Sequence, residues 1–379
     1  MTAVPTHVVI LGAGFGGLEL SSRLVEDLGD DVRITIIDKN DAFIFGYAKL
    51  DVMFGRTGLE NVKVHYADLK KPGVDFRHEE ITGIDPAARR VTTNKGTYDA
   101  DLLVVALGAD YDCEATPGLL EGGYEYYSPE GAANVRGVIE SFDHGTVIVG
   151  VLGPFFKCPA APSETALMLH DFFTKRGVRD AITIKLLSPM GVPIPVSKET
   201  SDALLAEFAV RNIEYRGGKR VVSIDPTTNV ATSEDGEELS FDLFLAVPVH
   251  KAPDVVVDSG LTEDGWINVD PWLATKFENV WAVGDVTNAP VPRAGVIAEG
   301  EAKTVADVIV HKLRGGAEPR PYAGIAGCYI EFGDDRVGKV DVDFLTGPEM
   351  KGFFTAPSHE IAREKEEFGA SRRRRWFGT

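Results

Sequence analysis

The chain has 379 residues, 44% hydrophobic and 26% charged, with a formal net charge of −19. This is ordinary globular composition, enough for two or three domains. It excludes much: the acidic surface repels nucleic acid, no apolar run reaches the ~20 residues that span a bilayer, and three cysteines do not make a structural disulfide framework.

The start, Met1-Thr2-Ala3-Val4-Pro5-Thr6-His7, carries neither a basic leader nor a cleavable apolar segment, so a cytoplasmic location is expected. Val8–Gly12 reads as a buried parallel strand. It runs into Gly12-Ala13-Gly14-Phe15-Gly16-Gly17, a G-x-G-x-x-G turn, and then into a helix with apolar residues at helical spacing. In such a turn Gly12 permits the tight bend, Gly14 lets a pyrophosphate approach the backbone, and Gly17 lets the helix lie close to the strand. A second strand, Val32–Ile37, ends at Asp38, where a carboxylate can accept hydrogen bonds from ribose hydroxyls. The glycine motif alone is weak; with strand, helix and acid in order it predicts a dinucleotide site.

Two further marks follow. Tyr98–Gly108 is an acidic turn, an apolar strand and a glycine. Asn279–Asp285 is another strand, ending in Gly284-Asp285. Together the three marks resemble the two-dinucleotide-domain flavoproteins. The resemblance implies FAD at the first site, with Asp285 bonding the ribityl chain near the flavin phosphate. Beyond Asp285 a helix is predicted to start near Gly295, its positive end placed to stabilise charge on reduced flavin. The FAD domain is expected over 1–108 and 241–314.

Residues 109–240 read as a second Rossmann-like domain, giving an α/β fold of two interleaved dinucleotide-type domains. Its strand Thr146–Gly150 leads to Val151-Leu152-Gly153-Pro154-Phe155-Phe156-Lys157-Cys158. Gly150 and Gly153 are present, but the third glycine is missing and Pro154, Phe155 and Phe156 crowd the turn. NAD(P)H binding is therefore not expected. Helices near 167–173 and 200–211 and a strand at 182–187 follow. The chain shows no sequence repeat. Gly315–Pro321 reads as a linker to a small C-terminal cap, 321–379.

Cys158 stands at the mouth of a predicted helix, with Pro159 and Pro162 suited to its first turn. The helix dipole and Lys157 are expected to lower the thiol pKa. Glu164 reads equally well as a base for an incoming thiol or sulfide and as a plain first-turn acid. Each cysteine taken alone also reads as a small buried hydrophobe. Cys328 begins a predicted strand.

The segment Phe156-Lys157-Cys158-Pro159-Ala160-Ala161-Pro162-Ser163-Glu164 and the pair Cys328-Tyr329, set in this frame, resemble sulfide:quinone oxidoreductases and flavocytochrome c sulfide dehydrogenases. That resemblance implies a redox pair, Cys158 and Cys328, beside the flavin, with Glu164 as the nearby acid. Cys113 lies about where many quinone-using members carry a third cysteine; a surface thiol without a role is the other reading. The implied reaction begins with sulfide attacking a Cys158–Cys328 disulfide or polysulfide bridge. The released thiolate then passes two electrons to FAD, and a quinone takes them. Phe332, Phe344, Phe353 and Phe354 could line a quinone slot or be plain core. Arg372–Arg375 beside Trp376 and Phe377 could touch anionic lipid weakly or pack on the acidic body of the protein. No metal is called for, and self-association stays open. A type II NADH dehydrogenase-like enzyme and a non-enzymatic FAD-binding redox sensor are the rival readings.

Overall fold

A computed structural model describes residues 4–378; Met1–Ala3, part of the segment read above as free of a leader, lie outside the described residues. The N-terminal apolar run forms β1 (Thr6–Leu11), whose last four side chains are fully buried. It feeds α1 (Phe15–Leu28), β2 (Val32–Asp38), the short α2 (Ala48–Met53), β3 (Val74–His78) and β4 (Leu102–Val105). A three-stranded antiparallel meander, residues 81–99, precedes β4.

The second domain repeats the plan. It holds β5 (Tyr124–Glu125), β6 (Gly145–Val151), α3 (Ala161–Lys175), β7 (Ile182–Ser188), β8 (Ile213–Gly217), a meander over 221–240 and β9 (Leu243–Val247). The chain then supplies β10 (Val280–Ala282) and α4 (Gly295–Arg314) to the first domain. Both five-stranded sheets are parallel, in the orders β3-β2-β1-β4-β10 and β8-β7-β6-β9-β5. The two domains thus share one architecture although the sequence shows no repeat. What recurs is the hydrophobic period and the order of elements.

One boundary differs from expectation. Leu243–Val247 pairs with β6, Val147 opposite Leu243 and Val149 opposite Leu245, so it belongs to the second domain. Its five side chains are all buried, as a central parallel strand requires. The return to the first domain comes after it. There Val249–Lys251 runs antiparallel to Asp110–Asp112, so the two crossings between domains are hydrogen-bonded to each other.

The cap is an antiparallel sheet of β11 (Ile325–Glu331), β12 (Val337–Asp343) and β13 (Lys351–Ser358), followed by α5 (His359–Phe377). One face buries Ile330, Val340 and Val342 in the core of the second domain. Across the other, Tyr329 of β11 and Lys339 of β12 both bond Glu364 of α5. The last residues of α5, Trp376 and Phe377, enter the core of the first domain. The cap therefore fastens the two domains together.

Candidate active site

The nucleotide cradle forms at the carboxyl end of the first sheet, where β1, β2, β4 and β10 all stop. Gly12 has φ +98°, and a Cβ there would lie 2.3 Å from the Ala106 carbonyl oxygen. A Cβ on Gly17 would fall 2.0 Å from the Gly12 oxygen, so helix and strand touch backbone to backbone. Gly14, by contrast, faces open space, and α1 begins there without a capping side chain. Its first N–H groups are left for an anion. Asp38 accepts from the Ala13 N–H at 2.7 Å and the Asn40 N–H at 2.9 Å. Gly108 (φ +70°) and Gly284 (φ +79°) make the turns after β4 and β10. The Asp285 carboxylate has no hydrogen-bond partner among the described residues, although Lys157, Arg293 and Lys49 lie near enough to oppose the pKa rise that burial imposes. At Gly295, α4 also begins without a capping side chain and with no acid in its first turn. An open glycine, two uncapped helix starts and an unpaired carboxylate fit the phosphates and hydroxyls of a dinucleotide.

The sequence did not single out Glu301, fully buried on α4. It accepts the Gly284 N–H and so holds the turn that presents Asp285. An acid inside the apolar stripe Ile297–Ala298–Ala302–Val305 is the signal that could have found it. Burial raises its pKa from an ordinary 4.5 to about 8. A raised carboxyl pKa means the folded state holds the proton more tightly than the unfolded one. This group's contribution to stability is therefore lost as pH climbs from about 4.5 through about 8, by up to roughly 5 kcal/mol. Glu301→Gln should flatten the fall in stability between about pH 5 and 8 and leave the variant the more stable of the two above that range, as read by urea unfolding across pH. A slope identical to that of the parent protein would refute this.

Cys158 sits beside this cradle. Its N–H donates to the Arg293 carbonyl at 2.9 Å, and the Arg293 Nε donates to the Asp285 carbonyl at 3.0 Å. The loop before α3 is thus laced to the loop after β10. Cys158 has φ +50°, a left-handed conformation costing a non-glycine residue about 1–2 kcal/mol. A Cβ on Gly46 would be 3.7 Å from its sulfur.

Cys328, on β11, packs against the same core, and the charge of Cys158 raises its pKa further after burial. Both are free thiols in this structure. Cys113 is elsewhere: it packs with Val249 on the opposite face of the second sheet, in a separate core.

The expected lowering of the Cys158 pKa is corrected. Burial pushes the thiol up to about 11, against the opposing pull of Lys49 and, more weakly, Lys157. Two geometric facts explain it. Helix α3 is capped at Ala160, so Cys158 lies outside its first turn. The Lys157 amine turns away, donating to the Ala109 carbonyl at 2.6 Å and lying 4.6 Å from the Tyr111 ring centroid. Lys49, on α2, is the cation that acts most on the thiol, and nothing in the sequence pointed to it.

Glu164 is only 5% exposed and accepts the Glu331 N–H at 2.9 Å, joining α3 to the cap strand that carries Cys328. Burial first, then Glu331 and Asp51, raise its pKa to about 7, with Lys365 opposing. This is more than a solvated helix-end acid: near neutral pH it can both hold and release a proton.

The glycine-poor turn of the second domain buries Phe156 and leaves Pro154 and Phe155 exposed. Nine residues, 152–160, separate β6 from α3, and the first helical turn, Ala161–Glu164, is wholly buried. The crevice bounded by Phe156, Pro159, Pro162, Met190 and Tyr215 has about 10 Å³, room for about one water. A buried acid in the first turn further opposes a pyrophosphate there.

The aromatic quartet does not make a slot. Phe332, Phe344 and Phe354 belong to the core or pack directly on it, and Phe353 points outward, 61% exposed. Apolar rings on the inner face of a cap sheet simply complete the neighbouring core. Of the C-terminal arginines, Arg372 and Arg375 pack on the first domain, while Arg373 and Arg374 stay exposed. Arg372 pairs with Glu299, Arg374 with Glu367, and Arg375 with Glu19 and Glu26. Among the described residues no helix is long and apolar enough to cross a membrane.

Comparison with known proteins agrees with this geometry. The pattern of the pyridine nucleotide-disulphide oxidoreductases matches residues 6–153 and 158–303, which is most of the chain. The chain belongs to that family. It is an FAD-binding oxidoreductase. The break in the match, 154–157, falls on the crowded turn ahead of Cys158. A sulfide-quinone reductase of Aquifex aeolicus is 28% identical over 357 residues, covering 87% of this chain and 82% of its own. The crystal structure of the sulfide:quinone oxidoreductase from Aquifex aeolicus superposes with a TM-score of 0.88, at 24% identity, over 99% of this chain and 93% of that one, so the fold is shared. A type II NADH:quinone oxidoreductase of Staphylococcus aureus is 26% identical over 81% of this chain and 83% of its own.

Proposed function

We propose that this oxidoreductase oxidises sulfide, or a related sulfur species, through Cys158 and Cys328 and delivers the electrons to a quinone. The observation that carries the reading is two thiols packed on one core beside the cofactor cradle. When bound, FAD supplies the two-electron chemistry between sulfur and acceptor. The residues do the rest. In the oxidised pair, hydrosulfide attacks one sulfur of the Cys158–Cys328 bridge. One S–S bond forms and one breaks, leaving a persulfide on one cysteine and a thiolate on the other. Glu164 takes the persulfide proton. Persulfide and thiolate then close into a three-sulfur bridge, and that closure releases two electrons. Lys49 steadies the thiolate in a site whose burial otherwise favours the neutral thiol.

Quinone as acceptor rests on the names of the relatives, since both the sulfide- and the NADH-oxidising sets are quinone enzymes. Its encounter with a membrane-held quinone would be peripheral, and we place it on the cytoplasmic side. A second reading, NADH as donor, draws on the Staphylococcus relative; the turn after β6, which lacks the third glycine of a nucleotide turn, argues against it.

The test is an anaerobic titration followed at the flavin absorbance. Sulfide should bleach the flavin, a soluble quinone should restore it faster than cytochrome c, and NADH should leave it yellow. Bleaching by NADH but not by sulfide would replace this reading with its rival.

A further inference from the structure

Glu164 is faced from every side by groups that bear on its charge. Asp51 approaches from α2, Glu331 and Cys328 from β11, Lys365 from α5, Cys158 from the loop ahead of its own helix, and Tyr126 and Tyr127 from the loop after β5. Most of these are acids or neutral groups. Only one cation stands close to it in that set, and it comes from the last helix of the chain. The Lys365 Nζ is 2.6 Å from the Glu331 Oε1, buried with it, while the backbone N–H of the same Glu331 donates to Glu164. The other oxygen of Glu331 meets Arg56 at 3.4 Å, and Arg56 also holds Asp51 at 3.2 Å and the exposed Asp335 at 3.7 Å. The Lys365 ammonium also lies 5.0 Å from the centroid of Tyr47, next to Gly46, where a Cβ would come within 3.7 Å of the Cys158 sulfur. Gly369, one turn on, packs so closely that a Cβ there would sit 2.3 Å from the Tyr47 hydroxyl.

We propose that Lys365 is the positioning residue through which the cap helix decides whether Glu164 holds its proton. The proposal deepens the reading of Glu164 as the proton acceptor of the sulfur site. The physical reason is that a buried carboxyl ionises only against a nearby cation. The first domain brings Asp51 to this spot with Arg56 already paired to it; Lys365, the cation that acts on Glu164 itself, arrives only when α5 docks. Proton removal from the incoming sulfur species then depends on the docked position of α5.

The direction follows from the charges. With the ammonium removed, the ionised form of Glu164 loses its partner, and its titration moves up from about 7. In the holoenzyme, the carboxyl C=O stretching band of Glu164, identified by its disappearance in Glu164→Gln, can be titrated by infrared difference spectroscopy without any turnover. Lys365→Met should raise the midpoint by about one pH unit or more, whereas Lys365→Arg should leave it near the parent value. The acid limb of flavin reduction by sulfide should move with it, giving rates lower by on the order of tenfold below the limb and unchanged well above it.

The outcomes separate. An unmoved band in Lys365→Met overturns the proposal. A band that moves while the rate limb stays put upholds it and removes Glu164 as the base in sulfide oxidation. Should the single variant not fold, because Glu331 is stranded, the pair Lys365→Met with Glu331→Gln leaves no lone buried charge. Its midpoint should still rise, by less; no rise overturns the proposal equally.

Discussion

Cys158→Ser is expected to stop flavin reduction by sulfide, with the rate falling by on the order of 10³-fold or more, while unfolding stability changes by less than about 1 kcal/mol. The two halves of that prediction come from different physics. Serine is nearly isosteric and can keep the backbone bonds that fix the residue, so the loop laced to Arg293 and the left-handed φ are inherited unchanged. Its hydroxyl, however, cannot form a bridge to Cys328, so the covalent division of the oxidation is lost. Cys328→Ser should behave alike. Cys113→Ser should reduce normally, because that thiol packs on the far face of the second sheet. Stopped-flow anaerobic mixing, with chemical denaturation of each variant, measures both halves. A Cys158→Ser protein that bleaches at the parent rate would end the thiol mechanism. Equal loss in Cys113→Ser would mean that three thiols act together.

The left-handed φ of Cys158 belongs to the same argument. Strain of this size at a non-glycine residue persists where surrounding contacts over-determine it. Here the contact comes from Arg293, in the loop that follows Asp285, so the strained residue is tied to the loop that carries the acid of the cradle. Glycine would suit the backbone better; a thiol occupies the position instead.

The cradle was legible in the sequence because each of its parts is a backbone requirement with a residue signature. Gly12 and Gly17 have no room for a Cβ, Gly14 faces open space, and Asp38 ends a strand. Such local necessities can be read from a string of letters. The turn at 154–157 was legible only in part, since Phe156 is buried while Pro154 and Phe155 stand exposed. The charge state of the site was not. Lys49, Glu301 and Lys365 act across 109, 17 and 201 positions of chain, on Cys158, Gly284 and Glu164, and no periodicity records such pairings. The thiol pKa was misjudged because dipole and neighbouring lysine are sequence features, whereas burial, which outweighs both, is a property of the folded core. The domain boundary slipped for a related reason. Leu243–Val247 looks like any buried strand, and which sheet accepts it is decided by β6.

Trp376→Ala decides what the C-terminal helix is for. The indole is fully buried and stands edge-on to Phe15 and Phe43, with centroids at 5.4 and 5.6 Å, and its Nε1 donates to Glu19 at 2.9 Å. Glu19 is itself inaccessible and depends on this bond and on Arg375 for its partners. Removing the ring should cost about 3–5 kcal/mol through lost burial and an incompletely collapsed cavity. It should also weaken FAD retention, because Phe15 lies inside the glycine turn that faces the phosphates and loses a wall of its packing. Trp376→Phe should recover most of the stability, retaining the edge-on aromatic contacts but giving up the bond to Glu19. Urea unfolding and the FAD content after gel filtration would show both effects. A tail that merely lay on a lipid surface would answer differently: the substitution would leave unfolding in detergent-free buffer untouched and lower only binding to vesicles. Two of the neighbouring arginines argue for the first outcome, since Arg372 and Arg375 already meet Glu299, Glu19 and Glu26; Arg373 and Arg374 stay exposed. On that physics the C-terminal end of the helix is part of the core of the first domain, while Lys365, two turns into it, pairs with Glu331 of the cap.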